Sequence, residues 1–398
     1  MAFGLGRNVL RDRSGTGSGA GSDRVTYVEL FFDLVFVFAF TQLGSYLYEH
    51  QTPTGALEGA IMVCALWWTW VSTTWVTNWL DPVRLPVRIA VITLALVAFV
   101  MSVSIGQAFG DRAYGFAVAY VVLQLARTGF IVWATVRHDR RAAHDFTSVF
   151  AWTALACALW VGGALLPQPL QLPVWILALG VELLGTVVGY PLPGRRRVEI
   201  AAWDLSGPHI AERTSLFVLI ALGEGLLVTG FEVAAKETSV EVVVAFVTAF
   251  VAAAACWWIY FDHGERVGAE AIEASETPGR LARTAYTWVH LLVIAGIVLL
   301  GVGDKEVLGH PHEQSVAAVV TVLGGPVLFL VGTALFRRVI DRRWPPAHLW
   351  GLAGLAVVLA VTPWLDAIAT AVASVAVLVA TAVGETIVRW RQGRRAGG

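Results

Sequence analysis

Residues 28–43 read Val28-Glu29-Leu30-Phe31-Phe32-Asp33-Leu34-Val35-Phe36-Val37-Phe38-Ala39-Phe40-Thr41-Gln42-Leu43. The stretch is almost wholly apolar, yet Glu29 and Asp33 lie four residues apart, and one helical turn places them on the same face. An ionised carboxylate near the centre of a bilayer costs roughly 2.5–3.5 kcal/mol on insertion scales. Such groups face the interior of a helix bundle or a water-filled cavity, so we expect this pair to have a function.

The whole chain has the composition of a membrane protein. Of its 398 residues, 57% are hydrophobic and 14% are charged, whereas about a quarter of the residues of a soluble protein are charged. The formal net charge of −1 gives no basic surface for nucleic acid. Cys64, Cys157 and Cys256 all lie in apolar runs, so we expect neither a disulfide framework nor a thiolate metal site.

Twelve apolar segments are long enough to span a bilayer, which takes about 20 residues per crossing. The first six are Val28–Tyr48, Gly55–Leu80, Leu85–Phe109, Tyr114–Arg137, Phe146–Leu166 and Leu172–Tyr190. The second six are Pro208–Phe231, Val240–Phe261, Leu281–Val302, Val316–Arg338, His348–Val361 and Leu365–Trp390. The eleventh is short and flanked by prolines, so eleven spans with one re-entrant segment are the alternative. The sequence predicts an all-α, polytopic transmembrane helical bundle.

The basic residues between the spans set the expected orientation, because cytoplasmic loops carry an excess of Lys and Arg. If the N-terminus is cytoplasmic, the loops on the outside hold only Arg112, Lys236 and Lys305, and Arg127 alone is left within a span. Twelve spans with both termini in the cytoplasm give this clean division.

The chain is predicted to contain two similar halves. Trp67-Trp68 in the second span corresponds to Trp257-Trp258 in the eighth, and Pro82-Val83-Arg84 before the third span corresponds to Pro278-Gly279-Arg280 before the ninth. Six spans per half make both halves start from the same side of the membrane, which predicts two parallel pseudo-repeats. The predicted order is a disordered cytoplasmic tail at 1–24, a six-helix repeat at 25–190, a cytoplasmic linker at 191–207, a second six-helix repeat at 208–392 and a cytoplasmic tail at 393–398.

The seventh span carries a second set of charged residues. Arg213 and Glu224 share one helical face, and eleven residues at about 1.5 Å each place Glu224 roughly 16 Å deeper, near the midplane. Gly223 and Gly225 flank this acid and permit close helix packing or a local break in the backbone. We expect Glu224 to be the midplane acid of the functional site.

The polar residues on or near these spans form the predicted pathway for a substrate or ion. They are Glu29, Asp33, Gln42, Glu212, Arg213, Glu224, Arg127 and His290. Each has a structural alternative. The deep acids Asp33 and Glu224 are expected to line a pathway, or else to form interhelical hydrogen bonds that fix packing. Glu29, Glu212 and Arg213 lie near a membrane boundary, where snorkelling or an ion pair is sufficient.

Arg127 is interpreted as the counter-ion of one of these acids. His290 lies one turn after Tyr286 on the ninth span, and a single histidine there is more often a packing residue than a ligand. Asp262-His263 is the weak exception to an absence of metal-ligand spacing, so no metal is expected. No phosphate-binding loop, nucleophile elbow or His-Glu-x-x-His is present, so we expect neither an enzyme nor a cofactor.

The first span resembles the bacterial low temperature requirement A (LtrA) family from Glu29 to Leu43. Other segments that resemble this family are Glu212-Arg213 with Leu219–Glu224, Tyr286 with His290, and Gly324-Gly325-Pro326. The resemblance extends from about Arg24 to Arg391. It implies a multi-pass protein of the bacterial inner (cytoplasmic) membrane that is associated with growth at low temperature, without naming a mechanism.

A more distant resemblance links residues Tyr27 to Asp33 to the Arg-x-x-x-Phe-Ser-Asp signature of the endolysosomal potassium channels and their bacterial relatives. Phe32 stands where that signature has serine, and Tyr27 stands where it has arginine. The channels are also built from six-helix repeats.

Three functions are consistent with the sequence. The leading hypothesis is a secondary transporter of a small solute or ion that uses intramembrane carboxylates. The alternatives are a potassium-type cation channel and a membrane sensor or scaffold that transports nothing. The expected partners are the lipid bilayer and the unknown solute or ion, with a homo-oligomer left open.

Overall fold

The computed structural model describes residues 9–11, 24–199, 203, 205–262 and 264–396. These residues form helices and contain one isolated β-bridge, between Leu10 and Leu80. The first helices are α1 Tyr27–Glu49, α2 Pro53–Trp79, α3 Leu85–Val103, α4 Ala113–Val136, α5 Arg140–Ala164, α6 Gln168–Val188 and α7 Gly207–Ala234. The others are α8 Val240–Phe261, α9 Gly264–Glu273, α10 Pro278–Ala282, α11 His290–Gly309, α12 Val316–Ile340, α13 Pro346–Val361 and α14 Ala367–Ala396.

Among the described residues, 12 helical segments are long and apolar enough to cross a membrane. One of them, Pro278–Gly309, consists of α10, a π-helical turn at Arg283–Val289 and α11. The eleventh segment runs from Pro346 to Trp364, since a 3₁₀ turn extends α13, and its 19 residues are long enough to span. The prediction of a polytopic bundle of twelve helices is therefore confirmed.

Several helix ends differ from the predicted ones. The ninth span was expected to end at Val302, but α11 continues to Gly309, so Lys305 lies within the helix and not in the loop that follows it. The fifth span was expected to begin at Phe146, but α5 begins at Arg140 because the Asp139 side chain accepts a hydrogen bond from the Ala142 amide and caps the helix. The short helix α9 was not predicted, because it is polar and lies between two spans.

The predicted tail at 1–24 lies mainly outside the described residues. Its residues 9–11 run beside the end of α2, where the Arg11 amide donates to the Trp79 carbonyl and the Asp81 amide donates to the Val9 carbonyl, both at 2.9 Å. This short backbone pairing fixes the position of the Arg11 side chain.

The chain divides into two compact units. The first contains the described residues of Met1–Tyr46, Thr52–Phe217 and Ile272–Ala282, and the second contains those of Leu47–Gln51, Val218–Ala271 and Arg283–Gly398. The division falls inside α7, after Phe217. The predicted duplication at 25–190 and 208–392 stays a prediction.

Large aromatic side chains fill the first unit. Trp160 of α5 and Trp175 of α6 are both fully buried, with ring centroids 4.9 Å apart, and the Trp175 indole donates to the Trp160 carbonyl. Gly163 makes this packing possible, since a Cβ there would lie 2.6 Å from the Trp175 ring. Size complementarity of this kind holds α5 against α6.

Glycines hold α11 and α12 together in the second unit. A Cβ at Gly296 would lie 2.6 Å from the Phe329 nitrogen, and one at Gly325 would lie 2.7 Å from the Leu300 nitrogen. Helices in a membrane associate through such close backbone contact, because lipid provides no hydrophobic driving force between them.

Candidate functional site: a buried charge cluster

The centre of the site is an ion pair between α1 and α7. Arg213 Nη2 donates to Asp33 Oδ1 at 2.9 Å, and Arg213 Nε donates to Asp33 Oδ2 at 3.4 Å. The guanidinium therefore forms a bidentate ion pair with the carboxylate. Both side chains are fully buried. The Trp70 indole of α2 also donates to Asp33 Oδ1, at 2.8 Å. The rings of Phe32 and Trp70 lie 5.7 and 5.8 Å from the Arg213 guanidinium carbon, within the range of cation–π attraction.

Glu29 is the second carboxylate of the cluster, and its two oxygens have different roles. Oε1 lies 3.3 Å from Arg213 Nη1 and 2.9 Å from His209 Nε2. Oε2 accepts from the amide and the hydroxyl of Thr26, at 3.0 and 2.9 Å, which secures the first turn of α1. Arg213 Nη1 also donates to the Thr77 hydroxyl of α2. Glu29 therefore joins the helix cap to the ion pair.

His209 connects Asn78, Glu29 and Arg11 through its two ring nitrogens. Asn78 accepts from the Ser206 amide through Oδ1 and donates to the Ser206 carbonyl through Nδ2, which fixes the orientation of its amide group. Asn78 Nδ2 is therefore the donor to His209 Nδ1, at 3.2 Å. His209 Nε2 lies 2.9 Å from both Glu29 Oε1 and Arg11 Nη2, so the imidazole lies between this carboxylate and a second guanidinium.

Arg11 completes the cluster from the N-terminal segment. Its Nε donates to the carbonyls of Leu80 and Thr77, at 2.9 and 3.3 Å, and its Nη2 lies 3.7 Å from Glu29 Oε1. Two guanidiniums thus meet two carboxylates around the His209 imidazole. The cluster is electrically balanced, which reduces the free-energy cost of burying its charges between membrane-spanning helices.

Local helical spacing places these side chains on shared faces. Glu29 and Asp33 are four residues apart on α1, and His209 and Arg213 are four residues apart on α7. The sequence therefore indicated which side chains lie together on one helix, and His209 was recognisable by its spacing from Arg213. No such spacing indicated Arg11, since it lies next to a Gly- and Ser-rich run with no helical period.

The structure brings together Glu29, Asp33 and Arg213 from the predicted pathway. Glu212 is half-buried, and its Oε2 accepts from the Val25 amide at 3.1 Å, directly before α1. Gln42 is half-buried near the other end of α1. The predicted pathway lacked five residues that complete the cluster, which are His209, Arg11, Trp70, Asn78 and Thr77.

Glu224, expected to be the midplane acid, belongs to the second unit and is half-buried. A Cβ added at Gly223 or Gly225 would have no neighbour within 4 Å, so these glycines make no close helix contact. The pathway role of Glu224 stays a prediction.

Arg127 does not bind Asp33, since that role falls to Arg213. Its guanidinium donates to the Thr69 carbonyl at 3.4 Å and to the Thr128 hydroxyl at 3.3 Å. Gln124 of the same helix donates to Glu182 of α6 at 3.2 Å. Tyr120 donates to Glu182 at 2.6 Å. The first unit thus has a second buried polar group of residues, between α4 and α6.

His290 is held by two hydrogen bonds in the second unit. Its Nδ1 lies 2.8 Å from the Ala285 carbonyl and its Nε2 lies 2.8 Å from the Tyr260 hydroxyl. A carbonyl only accepts, so Nδ1 carries the proton and Nε2 accepts from Tyr260. Both ring nitrogens are therefore bonded within the protein, and a pathway role for His290 stays a prediction. Among the described residues, no three His, Cys, Asp or Glu side chains gather as a metal site would require, and His263 lies outside them.

The comparisons with known proteins agree with the fold. Residues 24–383 match the family described as "Bacterial low temperature requirement A protein (LtrA)". A relative from Rhizobium meliloti (strain 1021), "Uncharacterized protein RA0937", is 34% identical over 365 residues, which cover 92% of this chain and 89% of the relative. The resemblance to potassium channels finds no support in these comparisons. This chain belongs to the bacterial low temperature requirement A (LtrA) family of membrane proteins.

Proposed function

We propose that the protein is a secondary transporter that moves a small solute or ion across the bacterial inner membrane. The observation that carries the proposal is the fully buried Asp33–Arg213 ion pair between two membrane-spanning helices. Ionisable residues in such helices are rare because burying their charges is costly, and they commonly mark substrate or ion pathways.

The Asp33–Arg213 ion pair can act as a gate that opens when a charged substrate competes for one of its two partners. A cation or proton that reaches Asp33 competes with Arg213 for the carboxylate, and an anion that reaches Arg213 competes with Asp33 for the guanidinium. In either case the contact between α1 and α7 weakens when the substrate binds. Glu29 and His209, which lie beside the pair, would then form new hydrogen bonds in place of those lost between Arg213 and Asp33.

The test is transport by the purified protein in liposomes. An entrapped pH-sensitive dye and entrapped Na⁺ and K⁺ indicators report flux after a gradient of each ion is imposed. We expect flux in at least one of these assays, and we expect Asp33→Asn and Arg213→Gln to remove it. Unchanged flux in both variants would show that the ion pair is not part of the pathway.

The matched control is the exposed ion pair between Arg84 and Asp81, whose side chains are 44% and 28% exposed. Asp81→Asn removes a carboxylate of the same type from the loop that precedes α3. We expect normal flux in this variant, since an exposed ion pair contributes about 0–1 kcal/mol and lies outside the buried cluster.

One observation favours a membrane sensor or scaffold as the second candidate. The carboxylates of Glu29 and Asp33 are bonded within the protein, so the cluster is also suited to locking α1, α2 and α7 together. In that case the liposomes show no flux with any ion, while a partner protein co-purifies with the intact chain.

We further propose that the protein supports growth at low temperature, as the name of its family implies. A strain without the gene is expected to grow more slowly in the cold and to recover with the wild-type gene. Recovery by Asp33→Asn as well would separate the growth phenotype from the ion pair.

A further inference from the structure

Asp304 lies within a membrane-spanning helix of the second unit and has no hydrogen bond or ion pair among the described residues. It is five residues from the C-terminal end of α11, about 8 Å into the helix. Ile297, Val307 and Leu308 share its helical face, and all three are buried. The carboxylate therefore lies toward an interior side of α11 and is half-buried.

An apolar cluster covers this position from the end of the helix. Val307 and Leu308 of α11 pack with residues of α8, α12 and α14, which are Ala245, Ala318, Val322, Ala367 and Ala371. Asp304 lies one turn before Leu308, and Ser374 lies one turn after Ala371. The Ser374 hydroxyl is buried and has no hydrogen-bond partner among the described residues. Asp304 and Ser374 thus each lie about one helical turn from this cluster, toward the middle of their own helix, and neither has a hydrogen-bond partner among the described residues.

The charged residues beside Asp304 are engaged elsewhere. Lys305 Nζ lies 4.0 Å from Glu232 Oε1, and Glu306 accepts from Gln51 at 2.7 Å. From α8, the buried Cys256 thiol interacts electrostatically with Asp304.

The charges of α12 and α14 are also paired at other positions. In the last turn of α12, Arg337 binds Glu385 of α14 at 2.6 Å. Directly before α14, Asp366 lies 2.9 Å from His312, and this hydrogen bond holds the pKa of Asp366 below its usual range. Arg389 binds Asp262. None of these cations reaches Asp304.

An ionised carboxylate in apolar surroundings without a counter-ion is so unfavourable that the group takes up a proton instead. We propose that Asp304 is a proton-binding site, and that at neutral pH it is a neutral carboxylic acid inside the membrane-spanning helices. Proton binding and release interconvert the acid and the carboxylate and need no other reactant. The site goes beyond the transport proposal, because it assigns a ligand to a residue outside the charge cluster.

Carbodiimide labelling of the full-length protein in liposomes tests this protonation state. Dicyclohexylcarbodiimide enters membranes and adds to a protonated carboxyl group to form an N-acylurea, with no other product. We expect an adduct on the peptide that contains Asp304 at neutral pH, and less adduct as the pH rises. We expect none on Asp33, because Arg213 and Trp70 already donate hydrogen bonds to both of its oxygens. Asp304→Asn removes the adduct, and Asp304→Glu retains it.

Infrared spectroscopy supplies a second measurement that does not depend on access of the reagent. The carbonyl band of a protonated carboxyl group is expected in the wild-type spectrum, absent in Asp304→Asn and retained in Asp33→Asn. Superimposable wild-type and Asp304→Asn spectra at neutral pH would overturn the proposal. Protection of Asp304 by Na⁺ at constant pH, without this band, would assign a sodium site and overturn it as well.

The outcome is independent of the transport assay. A band from Asp304 in a protein without flux supports the proton site and contradicts the transporter. Flux that depends on Asp33, without a band from Asp304, supports the transporter and contradicts the proton site.

Discussion

At the scale of single residues, the energetics of the cluster depend on complete pairing. Asp33 receives three hydrogen bonds, two from Arg213 and one from Trp70. In the membrane interior there is little water to replace a lost partner. Removal of one side chain therefore leaves an uncompensated charge, which is more costly than removal of the whole pair.

The first prediction concerns the coupling between Asp33 and Arg213. Asp33→Asn and Arg213→Gln are each expected to lower the free energy of unfolding by about 3–5 kcal/mol, since each leaves the other charge buried. The double variant is expected to lose much less than the sum. Unfolding in mixed detergent micelles measures the three values.

The matched cycle uses Asp81→Asn and Arg84→Gln, which remove an exposed ion pair. Coupling there is expected to be about 0–1 kcal/mol. Equal coupling energies in the two cycles would contradict the assignment of the buried pair as the stronger interaction.

At the scale of helices, close contact between backbones positions α11 against α12. Gly296 and Gly303 lie seven residues apart on one face of α11. Built Cβ atoms at these positions would lie 2.6 Å from the Phe329 nitrogen and 3.2 Å from the Val322 Cα. Neither contact is with a flexible side chain, so a larger residue forces the helices apart.

The second prediction tests this contact by adding one methyl group. Gly296→Ala is expected to destabilise the protein by about 1–3 kcal/mol, because the new Cβ overlaps the backbone of α12. Gly301→Ala is the control on the same helix, since a Cβ there has no neighbour within 4 Å. Thermal unfolding in detergent compares them, and equal midpoints for the two variants would refute the close-packing argument.

A glutamate on the last helix of each predicted half is bound to a residue of the fourth helix in that half. Glu182 of α6 accepts from Tyr120 of α4, and Glu385 of α14 accepts from Arg337 of α12. Both glutamates are 3% exposed. The correspondence is in line with the predicted duplication, although the donors differ in chemical type.

At the scale of the whole molecule, orientation in the membrane follows from charge between the spans. The third prediction is that both termini are cytoplasmic, because the basic residues then lie almost entirely on one side. Green fluorescent protein fused to the C-terminus is expected to fluoresce, and alkaline phosphatase fused there is expected to be inactive. A phosphatase inserted beside Arg112 is expected to be active, and inactivity there would reverse the topology.

The sequence by itself determined the spans and the faces of individual helices. Long apolar runs fix where a chain can cross a bilayer, and the 3.6-residue period fixes that Glu29 lies beside Asp33. These features depend on residues within a few turns of each other. The twelve-helix fold was therefore predictable. The errors lie at helix ends, as where the Asp139 cap extends α5, and in the short polar helix α9.

Only the tertiary structure decided which charges meet. Asp33 and Arg213 are 180 residues apart in the chain, and Arg127 was an equally plausible partner from its position within a span. The structure also placed Arg11 in the cluster and left Asp304 without a counter-ion. The physical reason is that an ion pair forms between whichever side chains the packing of helices brings within a few ångströms, and sequence spacing carries no information on that distance.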